Sequence, residues 1–337
     1  MPQWTIPVIE HACDLRRAST RSWPHASVNI NDRQLTVAWA RSILCHNPGR
    51  AARRLVAAIA RPTLRFILDW DSAPTLRFAN SFDRVMRDFS HTSLLGELAQ
   101  AVTFAYWHWE RGCNVADFRG LAASAGIRIR ASSPLPDYIG VDRHSGDVLL
   151  IEAKGTCSDD PAAAMNKALR QCRAGLEHLM VPQMLGCVLA YDRTTCTTTL
   201  HLRDPKIQMT TPDDLGLTIF RRSYKSWFEL IGAQGLAKSM IGGMRFDDAG
   251  QVTRKELGRG QGLDLRAEGA LAEILAESLG FNPRKARFHV HPAICDVIFA
   301  RVPLSSLDLG GFGKLSARAS EPGAPLEFQD GTAIYEE

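Results

Sequence analysis

Between residues 92 and 202 the hydrophobic and polar positions fall into a sequence of segments whose periods can be read one by one. TSLLGELAQAVTFAYWHWE, 92–110, is apolar through most of its length, opens with Thr92 or Ser93 as cap, and predicts a long, mostly buried helix. GIRIRA at 126–131 alternates as a strand does, and DYIGVD at 137–142 predicts a second strand. A turn at His144-Ser145-Gly146 leads into DVLLIEAK, 147–154, an apolar run of the central-strand type. Pro161 to Met180 is helical by period and by its alanine and leucine content, and CVLAYD (187–192) and TTTLHL (197–202) read as strands. The predicted order is helix, three strands, helix, strand and a further strand.

Outside that stretch the pattern is weaker. GRAARRLVAAIARP, 49–62, predicts a short amphipathic helix stopped by Pro62. FRRSYKSWFEL, 220–230, reads equally as an amphipathic helix or as a basic-aromatic surface in which Arg221, Arg222, Tyr224, Lys225 and Trp227 meet a nucleic-acid strand. LRAEGALAEILAESLGF, 265–281, predicts a helix ended by Gly280 with Pro283 beyond, and FHVHPAICDVIFARV, 288–302, predicts strands. GRGQG (258–262) lacks the preceding strand of a dinucleotide site, and GGFGK (310–314) lacks the spacing of a phosphate-binding loop. From about 310 the chain reads as a loosely ordered tail.

Composition excludes some classes. The 337 residues are 45% hydrophobic, the balance of a globular protein, and no apolar run approaches a membrane span. The charge order of MPQWTIPVIEHACDLRR is wrong for a secretory signal. Eight cysteines without CxxC spacing fit a reducing cytoplasm rather than a disulfide framework. His289, His291 and Cys295 have donor atoms for zinc, but strand alternation accounts for them. Net charge is only +4, yet residues 1–90 hold thirteen arginines and no lysine against seven acids. Arg16, Arg17, Arg21 and Arg65 belong to that cluster, and Arg50, Arg53, Arg54 and Arg61 make one basic helix face suited to a phosphate backbone. A solvated face in an arginine-preferring protein, with 32 Arg against 8 Lys, reads the same way.

The chemistry concentrates in PDYIGVDRHSGDVLLIEAKG. Asp137 and Glu152 are hard oxygen donors on neighbouring predicted strands, the kind Mg²⁺ takes one or two at a time. Lys154 lies two residues past Glu152, so both side chains share a strand face. Such a site polarises a phosphodiester and activates water, with the ammonium stabilising developing charge. The alternative is a surface hairpin with a salt bridge. Asp204-Pro205-Lys206 repeats the acid-x-Lys spacing, but a proline there breaks a central strand, and Pro212-Asp213 has no such tail. Asp142, Asp147 and Asp159 read as turn and cap residues.

Pro136-Asp137 followed by Glu152-Ala153-Lys154 resembles the signature of the PD-(D/E)xK nuclease superfamily. The resemblance implies an α/β fold with a restriction endonuclease-like core (αβββαβ, a mixed central sheet flanked by helices) over 91–205. A basic, mostly helical region precedes it at 1–90, and a mixed α/β accessory region (206–310) and the tail (311–337) follow. It implies catalytic roles for Asp137, Glu152 and Lys154, and Mg²⁺ (or Mn²⁺) held by the two acids. Glu97 resembles the family's acid on the first core helix, a further metal ligand; its other reading is a partly buried acid meeting an arginine. Gln171 resembles the polar residue on the second core helix, with Lys167 one turn earlier as a phosphate contact; a solvated helix face is the alternative. The implied activity is endonucleolytic hydrolysis of DNA leaving a 5′-phosphate, in phage defence or restriction. Alternatives are a non-cleaving or partner-gated nucleic-acid-binding subunit of a larger defence or mobile-element complex, and an RNA-directed nuclease toxin. A homodimer or a protein partner is compatible with each.

Overall fold

A computed structural model describes residues 2–11, 27–45, 50–79, 82, 89–124, 126–130, 133–143, 145–158, 160–179, 181, 183–203, 213–240, 262–266, 270–298, 307 and 324–337. Arg16, Arg17, Arg21, His144, Asp159, the 204–206 repeat, Pro212, most of GRGQG and all of GGFGK lie outside the described residues.

The chain opens with strands β1 (Gln3–His11) and β2 (Ser27–Asn31), then helices α1 (Asp32–Cys45) and α2 (Arg50–Ile67). Helix α3 (Phe89–Ala105) runs on into a π-turn at Tyr106–Glu110. Strand β3 (Cys113–Asp117), the short helix α4 (Phe118–Ser124), and strands β4 (Tyr138–Asp142) and β5 (Val148–Thr156) follow. Helix α5 (Ala162–Leu176) then leads to β6 (Gln183–Asp192) and β7 (Thr197–Arg203). The remainder is α6 (Asp213–Leu230), α7 (Gln234–Ser239), β8 (Leu263–Arg266), α8 (Ala270–Ser278), β9 (Ala286–Val290), α9 (Pro292–Ile298), β10 (Leu326–Glu327) and β11 (Thr332–Glu336).

The fold is mixed α/β. A seven-stranded sheet has the order β2-β1-β7-β6-β5-β4-β3, and a four-stranded antiparallel sheet has the order β10-β11-β9-β8. In the large sheet β3, β4 and β5 form an antiparallel meander. Helix α5 then carries the chain over so that β6 lies parallel to β5, the connection that a parallel pair requires. Two glycines set how closely the helices approach. A Cβ on Gly155 would come within 2.6 Å of Leu95, so α3 seats directly on the Ala153–Gly155 side of β5. A Cβ on Gly186 would come within 2.6 Å of the Met165 sulfur. Gly186 is the register partner of Glu152, so α5 covers the opposite face, the one that carries Glu152 and Lys154.

The fold departs from the sequence expectations at several places. The first strand of the meander is Cys113–Asp117, not GIRIRA. All five residues of CNVAD are buried, so the strand shows no alternation and reads as the end of the preceding apolar segment. Residues 126–130 are not in a strand; Ile127 and Ile129 lean on the core while Arg128 and Arg130 are exposed, which produces alternation without a partner. Helix α2 continues through Pro62 to Ile67. Pro62 and Ala58 both lie on the exposed side, where water can take the carbonyl that the proline leaves unbonded. Residues 1–90, expected to be mostly helical, also supply two strands to the large sheet. FRRSYKSWFEL lies inside α6 with Tyr224 and Trp227 fully buried and Arg222 and Lys225 nearly so, so it is no stacking surface for a nucleic acid. FHVHPAICDVIF is a strand only as far as Val290 and then turns into α9, with Pro292 as its first residue. Residues 324–337 of the expected loose tail contain the paired strands β10 and β11.

A fully buried polar knot joins the two sheets. Arg41 of α1 pairs with Asp330 at 2.6 Å, and His108 of the π-turn bonds the same carboxylate oxygen at 2.7 Å. The Tyr224 hydroxyl donates to the Asp330 carbonyl, and His108 Nδ1 accepts the Val115 amide. Trp109 stacks on Phe328 beside it. Among the described residues no helix is long and apolar enough to cross a membrane.

Candidate active site

The meander brings the two halves of the acidic motif together. Tyr138 of β4 faces Ile151 of β5 in antiparallel register, so Asp137, one residue earlier, comes alongside Glu152, one residue later. The backbone amide of Asp137 donates to Glu152 Oε2 at 2.7 Å, and the Ala153 amide returns a bond to Asp137 Oδ2 at 3.1 Å. Lys154, on the same face of β5 as Glu152, forms an ion pair with Glu152 Oε1. These three residues form one connected cluster.

Its surroundings hold Asp137 from two sides. From α3, the Gln100 side-chain amide donates to Asp137 Oδ1 at 3.1 Å. From α5, Gln171 Nε2 donates to the Leu135 carbonyl at 3.0 Å. One helical turn on, Gly175 lets Pro136 come so close that a Cβ there would be 2.8 Å from the proline ring. Gln171 therefore braces the segment that delivers Asp137 instead of touching the carboxylates.

Electrostatically the site is short of positive charge. The Glu152 side chain is 0% exposed, and its carboxyl is raised well above the usual range, first by burial and next by the charge of Asp137. Lys154, 23% exposed, works in the opposite direction. Two adjacent carboxylates, one of them buried, with a single ammonium between them and water, are a donor set that a proton or a further cation would stabilise. Two carboxylates are the hard-oxygen donor set of which Mg²⁺ takes one or two at a time.

The other candidates are distributed elsewhere. Glu97 sits one turn before Gln100 on α3, half-buried, with its carboxyl raised by burial. Among the described residues no group of three or more His, Cys, Asp or Glu side chains able to hold a metal is found. Nor does Glu97 meet an arginine among them. Lys167 is exposed on α5. Arg50, Arg53 and Arg54 fall in the first two turns of α2, which packs mainly on α1 and α8. Arg61, from the same basic run, is committed to Asp32 at 2.8 Å and to the Ser278 carbonyl. Asp142 accepts the Ser145 amide, a turn role as expected. His289 bonds Asp264, His291 accepts the Ala293 amide and Cys295 is buried against the Val290 carbonyl, so the three converge on no common point.

Gln100 is the site residue that the sequence reading missed. Its signal was present: a lone amide between Ala99 and Ala101 in an apolar helix, three residues past Glu97. Comparison with protein-family models, curated proteins and solved structures returned no match to this chain.

Proposed function

We propose that this chain is a Mg²⁺-dependent endonuclease that hydrolyses DNA phosphodiester bonds on a restriction endonuclease-like core. The observation that carries the reading is the pairing of Asp137 with Glu152, closed by Lys154 on the same strand face. The element order supports it: α3, an antiparallel β3–β4–β5 meander, α5, and β6 parallel to β5.

Asp137 and Glu152 would hold the ion, which when bound supplies Lewis acidity toward a phosphate oxygen and acidifies its water. Lys154 brings a donor and a positive charge to the face where a phosphate would lie, and lowers the cost of charge developing there. Gln100 fixes the orientation of the Asp137 carboxylate, and Gln171 fixes the backbone that carries it. Arg50, Arg53, Arg54 and Lys167 are proposed phosphate contacts. Replacing the three arginines with glutamine should reduce the salt dependence of DNA binding by about two to three in logarithmic slope.

Incubation with supercoiled plasmid under Mg²⁺, Mn²⁺ and EDTA, beside the Asp137→Ala variant, tests the reading. Metal-dependent nicking by wild type alone supports it, and equal nicking by the variant removes the site assignment. A partner-gated form of the same site is the second reading, favoured by the complete burial of Glu152 beneath Lys154. It predicts no nicking by the isolated chain, together with a Mg²⁺-induced rise in melting temperature that Asp137→Ala lacks.

A further inference from the structure

Among the described residues, one face of the large sheet along β1 and β7 carries no helix. Along β7 the residues alternate: Thr198, Leu200 and Leu202 are buried, while Thr197, Thr199, His201 and Arg203 remain partly open. Register ties this open face to the candidate active site. Lys154 lies beside Val188 and Thr156 beside Ala190, while Val188 and Ala190 face His201 and Thr199 across the next pair. Ile9 of β1, 45% exposed, lies beside His201. Glu152, Lys154, Thr156, Ala190, Thr199 and His201 therefore share one surface. Helix α5 packs on this face over Leu150, Gly186 and Val188, through Gly175, Met165 and Leu169.

At the uncovered end lies a cleft of about 370 Å³, floored by Ala190, Thr199 and His201 and walled by Ser158 and the Asp192–Thr195 turn. That volume is at the lower end of pockets that enclose a small organic group. The His201 ring stacks on His11, centroids 5.1 Å apart and planes 21° from parallel, with a hydrogen bond of 2.8 Å between Nδ1 of His201 and Nε2 of His11. The pair presents an aromatic edge and face fixed in place. Asp192 accepts the Thr194 amide and the Thr195 hydroxyl, and these bonds hold its carboxyl below the usual range, so it is anionic. An anionic wall repels a phosphate but suits the amino and hydroxyl donors of a base and sugar.

We infer that this cleft takes the base and sugar of an unpaired nucleotide in the DNA strand being cut, an inference that rests on the nuclease reading. Thr156 lies four residues beyond Glu152, about 13 Å along the strand at roughly 3.3 Å per residue. That span equals about four base steps of stacked DNA. A base engaged there has left its stack and partner, so the substrate is single-stranded or locally opened on one side of the scissile bond.

The test uses the full chain carrying Asp137→Ala, titrated into a fluorescein-labelled single-stranded DNA dodecamer in EDTA and followed by anisotropy. Adding His201→Ala should weaken binding about tenfold, the loss expected of one stacked base, and leave affinity for a blunt duplex unchanged. Ala190→Leu, which fills the floor, should do the same, and a melting curve of each variant checks that it is folded. Unchanged single-strand affinity in both folded variants, equal losses for duplex and single strand, or no single-strand binding by the parent would overturn the inference. The plasmid assay stands apart from this one: nicking that survives Asp137→Ala removes the Asp137–Glu152 site assignment on which the inference rests, whereas unmoved anisotropy removes only the cleft.

Discussion

Gln100 donates its side-chain amide to Oδ1 of Asp137, while the Ala153 backbone amide holds Oδ2. Both oxygens of this carboxylate are therefore oriented before any ligand arrives. Second residues of this kind commonly change metal affinity by about 10–100-fold. Gln100→Leu should raise the Mg²⁺ concentration for half-maximal nicking by about that factor, with maximal rate less affected. Gln100→Asn, which keeps an amide on a shorter arm, should recover part of the loss. A normal Mg²⁺ dependence in Gln100→Leu would show the contact to be incidental.

Glu152 ties stability to pH through its raised carboxyl. In the unfolded chain this group loses its proton near pH 4.3. In the folded protein it holds the proton to higher pH, so its contribution to stability is complete below the unfolded value and is lost as pH rises through the folded one. In EDTA, Glu152→Gln should therefore melt above wild type at pH 8, with the gap closing below about pH 4.3. Mg²⁺ at pH 8 should raise the melting temperature of wild type and leave Glu152→Gln unmoved.

Gly175 links packing to chemistry, because Pro136 occupies the space where its Cβ would be. Gly175→Val should push the Leu135–Asp137 segment away from α5 at a cost of about 1–3 kcal/mol. Nicking should fall further than the melting temperature implies, since the displacement reaches Asp137 directly. Activity retained in step with the folded fraction would show that the segment tolerates the shift.

Asp330 is the buried centre of the knot between the sheets. Asp330→Asn leaves Arg41 without its counter-charge, and breaking a buried pair in this way costs about 3–5 kcal/mol. The acid limb of stability should also change. His108 is pushed down to about 3, chiefly by burial, so the folded state refuses a proton that the unfolded chain accepts below about pH 6.5. Asp330 is held well below the usual carboxylate range by Arg41 and His108 despite its burial, so its share is present above about pH 3.9 and lost as pH falls further. Urea denaturation of wild type should show stability declining from about pH 6.5 downward, and the step below about pH 3.9 should be absent from Asp330→Asn.

What could be read in advance was the part of the fold decided locally. The apolar run ending at Glu152 can only be a central strand, and Lys154 two residues on must share its face; both follow from strand geometry. Pro136-Asp137 and the α5 period were legible for the same reason. Cys113–Asp117 was not, because a strand covered on both faces carries no alternating signal, whereas Ile127 and Ile129 imitate one. Tyr224 and Trp227, set among arginines and a lysine, had the composition of a binding surface. They are interior because Phe328 and Phe288, far along the chain, close over Trp227. Arg222 and Lys225 are tolerated there beside acids, with Lys225 paired to Glu229. Glu97 and Gln100 share a face of α3, and only the tertiary position of that helix decides which of them reaches Asp137.

The Arg41–Asp330 contact spans 289 positions of sequence. Contacts this distant form late and slowly, because the intervening chain must first be ordered. A polypeptide divided between β7 and α6 would leave Arg41, His108 and the Asp137–Glu152 pair on one fragment, and Tyr224 and Asp330 on the other. Neither half could satisfy the knot alone. Mixing the two would restore the interior and the carboxylate cluster together, which makes the molecule a natural candidate for fragment complementation.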